Sequence, residues 1–389
     1  MSTKSGPLVG IKVIEIASVI MGPYAASVLG DLGADVIKIE TSDGDVGRNL
    51  GPARNKGMSA LTLNLQRNKS SVVLDTKTEP DREYFEELIR GCDVLVTNLR
   101  PKSRERLGVS YEQLERINPG VILCTGQAYS STSTMADQPA YDDIVQAASG
   151  ICDLYRRVEG EPRYAPYVVA DKVCGLMMAQ GVLAALVHRE RTGVGQWVDV
   201  PMIDAMISFN LVEHLSGKTF VPSTDPVGWN RTLVPERRPH RARDGWVCLM
   251  PYSDRNWKDF FGLVDRKDLL SDNRFDSNST RHVNVAQLQS FLCEIAPTRT
   301  VAQWRELCTS ADIPFQEVVD LDDLGSSEYA RSRGILKEVT HPTEGDYIRV
   351  RFPMDFSASP VETGDSAPLL GEQTGRSWLP VTAGSDGGR

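Results

Sequence analysis

Val9-Gly10-Ile11-Lys12-Val13-Ile14-Glu15-Ile16-Ala17 is a run dense in β-branched residues and reads as a buried strand. Gly22-Pro23 follows, with the proline where the first turn of a helix tolerates a missing N–H. Tyr24 to Leu32 has helical composition and stops at Gly33, a residue suited to the left-handed conformation that ends helices. Val36 to Glu40 is a second strand. Strand, helix, strand in this order predicts a parallel pair joined by a right-handed crossover.

The alternation continues outward from that unit. Ser71 to Asp75, Val94 to Val96 and Val121 to Cys124 read as strands. Pro80 to Arg90, with Tyr84, Leu88 and Ile89 on its apolar side, and Tyr111 to Ile117 read as the helices between them. The pattern predicts a Rossmann-like, doubly wound α/β domain. Asp171 to Arg189 is the longest helical candidate, and its near-continuous apolarity predicts a buried helix. Thr192-Gly193-Val194-Gly195 stops it, and Gln196 to Val200 resumes as a strand.

The character changes near residue 217. Gly217 to Arg243 carries four prolines and several arginines and reads as a linker or surface loop. A strand over Gly245 to Met250 and helices over Asn256 to Leu263, Val283 to Ile295 and Val301 to Ser310 predict a smaller α+β domain at about 225–325. The expected division is 1–215 for the large domain, 216–325 for linker and small domain, and 326–389 for a C-terminal segment. That segment has a strand signal at Tyr347 to Arg351 and a turn at Pro368-Leu369-Leu370-Gly371. The last seven residues, 383–389, are expected to be disordered.

The chain has 389 residues, 41% apolar and 24% charged, ample for a folded core and unlike a disordered chain. A net charge of −9 makes a general nucleic-acid binder a poor reading. No apolar stretch reaches 18 residues and no signal-peptide core precedes a cleavage site, so neither a membrane span nor export is expected. The seven cysteines are odd in number and form no Cys-x-x-Cys pair, which argues against a disulfide framework or zinc site and favours a reducing cytoplasm. The five histidines show no ligand spacing, so no metal is expected.

The first strand–helix turn, Ala17-Ser18-Val19-Ile20-Met21-Gly22-Pro23, lacks the G-x-G-x-x-G glycines that let a backbone approach pyrophosphate. No Walker sequence, His-Glu-x-x-His or nucleophile elbow occurs, and Thr125-Gly126-Gln127 is not Gly-x-Ser-x-Gly. Within Ala140-Tyr141-Asp142-Asp143-Ile144-Val145-Gln146-Ala147-Ala148-Ser149-Gly150, two carboxylates open a helix, where a favourable interaction with the helix dipole accounts for them. Asp171 begins the long apolar helix. It is either an N-cap or a carboxylate at the floor of a dry cleft, made a better nucleophile or base by desolvation. The residues alone leave both readings open. His240, in Arg237-Arg238-Pro239-His240-Arg241, reads as a solvated loop residue, with arginines able to steer an anionic acid.

Taken in order, several segments resemble the class III CoA-transferase family, which includes CaiB/BaiF-like proteins, formyl-CoA transferase relatives and α-methylacyl-CoA racemases. They are Met21-Gly22-Pro23, Leu32 to Glu40, Asn68 to Asp75, Asp93 to Pro101, Arg106-Leu107-Gly108, Tyr141 to Gly150, Thr192 to Gln196 and Pro368 to Thr374. The resemblance implies a catalytic aspartate before the long helix, and Asp171 stands there. It implies CoA contacts from Leu74, Asp75 and Lys77, from Asn98 and Leu99, from Arg106 and Tyr141, and at Ile20. Lys77 and Arg106 are chemically apt partners for CoA phosphates. It further implies an acyl-CoA and a carboxylic acid as substrates, no tightly bound cofactor, and an interlocked homodimer in which the C-terminal segment returns to the large domain. Oxyanion stabilisation by backbone N–H groups is expected around Gly150.

The departures from the family pattern are informative. The racemases carry a histidine where this chain has Tyr141, and tyrosine, with an ordinary pKa of about 10, is a poor general base at neutral pH. Transfer is therefore favoured over racemisation. The formyl-CoA transferases carry a glutamine where Ile20 stands, and their glycine-rich active-site loop has no counterpart here, which disfavours formyl-CoA and oxalate. The alternatives are an acyl-CoA racemase or isomerase, and a non-catalytic acyl-CoA-binding paralogue.

Overall fold

The computed structural model describes residues 4–362 and 364–378. The expected disorder of 383–389 lies outside the described residues. The chain divides into two compact units. The first comprises the described residues of Met1–Ser149, Ala165–Phe209 and Glu328–Arg389; the second comprises Gly150–Tyr164 and Asn210–Ser327.

The first unit opens with β1 (Lys12–Ile16), α1 (Met21–Asp31), β2 (Asp35–Glu40), α2 (Ala60–Leu65), β3 (Lys69–Val73), α3 (Glu79–Gly91) and β4 (Val94–Thr97). There follow α4 (Pro101–Leu107), α5 (Tyr111–Ile117), β5 (Ile122–Gln127) and α6 (Asp142–Ala148). Helix α7 (Ile151–Glu159) lies in the second unit, and α8 (Val169–Thr192) and β6 (Gln196–Pro201) return to the first. Helix α9 (Met202–His214) leads out of it.

Six parallel strands form one sheet in the order β3-β2-β1-β4-β5-β6, the doubly wound order expected from the alternation. The order reverses between β1 and β4, and the connections leave the sheet there on opposite sides. In open α/β sheets ligands bind at this switch point, outside the carboxyl ends of the strands. The apolar core on the α3–α5 side is built by Ile14, Ile37, Val72, Leu88, Leu95 and Leu123.

The centre of the sheet also buries charge, which the β-branched reading of these strands did not foresee. Glu15 and Lys38 are register partners on β1 and β2, both essentially without exposure. Lys38 Nζ donates to Glu15 Oε1 at 2.5 Å and to the Ala17 carbonyl at 2.7 Å, and pairs with Asp45 Oδ2 at 2.8 Å. Lys69 Nζ, from β3, meets Glu15 Oε2 at 2.7 Å and the Pro23 carbonyl at 2.8 Å. Arg48 grips Glu40 with two bonds of 2.7 Å and reaches the Pro368 carbonyl at 3.2 Å. Burial opposes the Lys38 charge, but Glu15, Asp45 and Glu40 raise its pKa; burial lowers Lys69 to about 8 despite Glu15. The network ties the first three strands to the C-terminal turn.

Helix α8 corrects an expectation. Its apolar composition predicts a buried helix, yet Leu176 and Val187 are about half exposed while Cys174, Met178, Val182 and Ala185 are buried. Among the described residues the helix is covered along one side, by α1, α6, β5 and β6. Among the described residues α8 is the one helix long and apolar enough to cross a membrane by length and composition, although no apolar stretch of that length was read from the sequence.

The second unit holds the three-stranded antiparallel sheet of β7 (His240–Arg241), β8 (Trp246–Leu249) and β9 (Phe315–Glu317). With it come α10 (Asp254–Leu263), α11 (Asn278–Val283), α12 (Val285–Ile295) and α13 (Val301–Ser310). Its core is aromatic: Phe260 stacks on Trp304 at 5.9 Å between centroids, and Phe261 packs edge-on against Phe291. His240 is buried in β7, its ring 3.5 Å from Cys293 Sγ, and burial lowers its pKa to about 4. The solvated-loop reading of His240 is thereby overturned: pairing with β8 folds the residue into the sheet. The first unit closes with α14 (Glu328–Arg333) and the hairpin β10 (Leu336–His341) and β11 (Gly345–Val350).

Candidate active site

Asp171 is the third residue of α8, not its N-cap; that position is Val168, which provides no side-chain cap. The N–H of Asp171, which has no partner within its own helix, donates to Asp142 Oδ1 at 2.9 Å. Asp142 lies in the first turn of α6 and is buried. Its other oxygen accepts from Gln146 Nε2 at 2.5 Å, one helical turn on. Gln146 Oε1 in turn accepts the Ala165 N–H at 2.8 Å, on the chain leading into α8. Thus α6 caps α8 from outside and fixes the backbone that carries Asp171.

The carboxylate of Asp171 is half-buried and accepts no hydrogen bond from the described residues. Burial, followed by the negative charge of Asp142, raises its pKa to about 7. This outweighs the helix N-terminus, which favours a carboxylate charge. Near neutral pH the group is therefore divided between its protonated and ionised forms. Cys174, nearby on the same helix, is pushed up to about 12 by burial and by Asp171 and Asp142. It stays a thiol and does not compete as a nucleophile.

Glycine sets the position of this turn. At Gly175, one turn beyond Asp171, a Cβ would fall 2.7 Å from the Met21 carbonyl oxygen and 3.2 Å from the Tyr24 ring. The start of α8 is thereby pressed against the start of α1, at the carboxyl end of β1. Ile20 occupies the N-cap position of α1. Val19 before it has φ +69°, an unusual conformation for a β-branched residue. Its N–H is held by Asp45 Oδ1 at 3.0 Å. Asn98, after β4, accepts from the Ser18 N–H at 3.1 Å and donates to the Ser18 carbonyl at 2.9 Å. The β1–α1 loop is thus clamped from both sides of the switch point.

Of the other residues implied by the resemblance, Leu74, Asp75, Lys77 and Leu99 also follow the carboxyl ends of strands, whereas Arg106 lies in α4 and Tyr141 at the start of α6, farther along the chain. Leu74 is buried just beyond β3. Asp75 and Lys77 lie exposed in the next turn, where Asp75 Oδ1 accepts the Lys77 N–H at 3.1 Å. Leu99 is half-buried, its N–H donating to Thr97 Oγ1 at 3.1 Å. Arg106 is exposed in the last turn of α4, and Tyr141, 75% exposed, is the N-cap of α6 beside Asp142. Ile20, Asn98, Leu99, Leu74, Asp75 and Lys77 thus share one edge of the sheet, with Tyr141 joined to Asp171 through Asp142. Asn98 differs from the others in that its amide is already committed to Ser18. Gly150 is left-handed, φ +92°, and belongs to the second unit.

Sequence reasoning missed the positioning role of Asp142, assigned to the dipole of its own helix, and gave none to Gln146. The available signal was their spacing of four, which stacks two polar side chains on one helical face. It also passed over Asp45 and Arg104. Arg104 is buried, donating to the Leu99 carbonyl and Gln127 Oε1 at 3.0 Å each. No local sequence signal distinguishes either residue from surface charge.

The family model described as CoA-transferase family III matches residues 8–374. Succinyl-CoA:glutarate CoA-transferase of Mus musculus is 27% identical over 373 residues, covering 95% of this chain and 85% of that protein. Acetyl-CoA:oxalate CoA-transferase of Acetobacter aceti is 32% identical over 334 residues, 85% of each. Among solved structures, a CAIB/BAIF family protein from Brucella suis superposes with a TM-score of 0.79 at 27% identity, covering 95% of this chain and 97% of the other.

Proposed function

The chain belongs to CoA-transferase family III, and from that premise we propose that it moves CoA from an acyl-CoA donor to a carboxylic acid through a thioester formed on Asp171. The observation that carries this reading is the Asp171 carboxylate itself. It is half-buried and free of hydrogen bonds from the described residues, and Asp142 fixes its backbone at the ligand-binding end of the sheet.

The ionised Asp171 attacks the donor thioester carbonyl and expels CoA thiolate, leaving an acyl-aspartyl anhydride. The thiolate attacks the aspartyl carbonyl, releasing the donor acid and forming aspartyl-CoA. The acceptor carboxylate attacks that thioester and again expels thiolate. Attack of the thiolate on the acceptor acyl carbon gives the product thioester and restores Asp171. The thioester bond energy is retained throughout, so no nucleotide is consumed. Water must be excluded while either anhydride exists.

Lys77 and Arg106 hold the CoA phosphates in this reading. Both are exposed, and neither forms an ion pair with the described residues. Ile20 places an apolar side chain where a hydrogen-bonding one would select a small polar acyl group. A partner chain is part of the proposal: the uncovered side of α8, with Leu176 and Val187, meets a second copy. Sedimentation at micromolar concentration tests this, a monomer counting against it.

One observation favours a second reading. A carboxyl group with a pKa of about 7 also suits proton abstraction at the α-carbon of an acyl-CoA. Exchange of that proton with solvent deuterium in the absence of any acid acceptor identifies this activity. Transfer without exchange identifies CoA transfer.

A further inference from the structure

The first unit contains a cavity of about 560 Å³ between the end of α1, the residues leading into β3, and the segment from 331 to 364. Asp31, on its wall, is the last residue of α1, whose first turn faces Gly175. A helix of that length spans about 15 Å, so the cavity is distinct from the Asp171 site.

The charges around it are unevenly paired. Of the cationic side chains on its wall, Arg67 is paired with Asp31 and Arg333 and Arg351 share Asp355, while Lys337 and Arg349 form no ion pair with the described residues. Lys337 and Arg349 stand directly opposite each other across the β10–β11 ladder, where like charges destabilise a sheet. Arg349 is only 7% exposed. It donates to Tyr347 Oη at 3.0 Å and to the Gly364 carbonyl at 2.9 Å. No carboxylate among the described residues forms an ion pair with it. A guanidinium does not shed its charge, and burying it unpaired is costly. Arg351 bonds Asp355 through one nitrogen, while its Nη1 is buried without a hydrogen-bond partner. The wall is fixed: a Cβ at Gly364 would overlap the Asn68 side chain. Leu336, Val350 and Phe352 add an apolar lining.

We propose that this cavity binds a small organic phosphate, its phosphate oxygens taken by Arg349, Lys337 and Arg351 and its carbon skeleton by the apolar lining. Paired guanidinium groups and a lysine suit a dianion better than a single carboxylate. Binding relieves the cross-strand repulsion and fastens the β10–β11 hairpin to the end of α1.

The test is calorimetric titration of the full chain with sodium pyrophosphate, in saturating CoA so that any phosphate contacts of the acyl-CoA site are occupied. One saturable site per chain is expected. Lys337→Gln and Arg351→Gln should each weaken it about tenfold or more, and Arg349→Gln should abolish it. Lys337 is exposed on its strand, so Lys337→Gln keeps the fold, and its midpoint of thermal unfolding without ligand should equal or exceed the wild type. Absence of a saturable site, or wild-type affinity in both Lys337→Gln and Arg351→Gln, overturns the proposal.

Discussion

The backbone N–H of Asp171 donates to the carboxylate of Asp142 at 2.9 Å, so one acid positions the other. The same bond brings a second negative charge beside Asp171, and that charge helps raise its pKa to about 7. Position and protonation are therefore coupled through one residue.

A pH profile reports this coupling. In the proposed mechanism the nucleophile is the ionised form, so kcat/KM should rise with pH and level off above an apparent pKa of about 7. Asp142→Asn removes the neighbouring charge while keeping an oxygen for the Asp171 N–H. The acid limb should then move to lower pH. An unmoved limb would assign the shift to burial alone.

Stability carries the opposite sign. The folded-state pKa of Asp171 lies above its ordinary 3.8, so the folded chain holds the proton more tightly between about pH 4 and pH 7. Its contribution falls as pH rises through that window and is least favourable above pH 7. Asp171→Asn should abolish turnover yet stabilise the chain at pH 8 by on the order of 2–4 kcal/mol. Denaturant melts at pH 5 and pH 8 measure it, and a gain equal at both pH values would contradict the linkage.

Gln146→Leu should act through Asp142 rather than on substrate. It frees Asp142 Oδ2 and the Ala165 N–H, with an expected cost of about 1–3 kcal/mol. A fall in kcat with KM for acyl-CoA nearly unchanged marks a positioning residue. A rise in KM alone would place Gln146 in binding.

Lys77→Ala and Arg106→Ala should each raise KM for acyl-CoA roughly tenfold, the loss of one charge-assisted phosphate contact. Neither should affect an acyl-pantetheine, which lacks the nucleotide phosphates. Equal effects on both substrates would remove these residues from phosphate recognition.

Lys38→Met should destabilise the first unit by about 3–5 kcal/mol, because it leaves Glu15 and Asp45 buried with a reduced partner set. Asp45 also holds Val19, so activity in the folded fraction should fall as well. A melt within about 0.5 kcal/mol of wild type would show that the network is dispensable.

The parallel sheet was legible because its strands are β-branched runs separated by helical stretches, and the span Tyr111–Ile117 was read to the residue. Helix α4 and strand β10 were not anticipated. Pro101-Lys102-Ser103-Arg104-Glu105-Arg106-Leu107 has too little apolar periodicity, and β10 gains its partner only through the β11 hairpin. Asp171 was legible as a position but not as a chemistry, since an N-cap and a cleft carboxylate look alike in one dimension. What separates them is burial and the reach of Asp142 from another helix, both products of tertiary packing. The buried Glu15–Lys38 pair was hidden for the same reason: registry between strands is not written in either strand alone.

Intact-mass spectrometry of the protein mixed with a panel of acyl-CoAs, without acceptor acid and with Asp171→Ala alongside, tests the central claim most directly. A covalent adduct of CoA mass on the wild type, absent from Asp171→Ala, is the expected result. Measurable binding of an acyl-CoA that is turned over in the presence of an acid, with no adduct at any time point and equal turnover by Asp171→Ala, would contradict it.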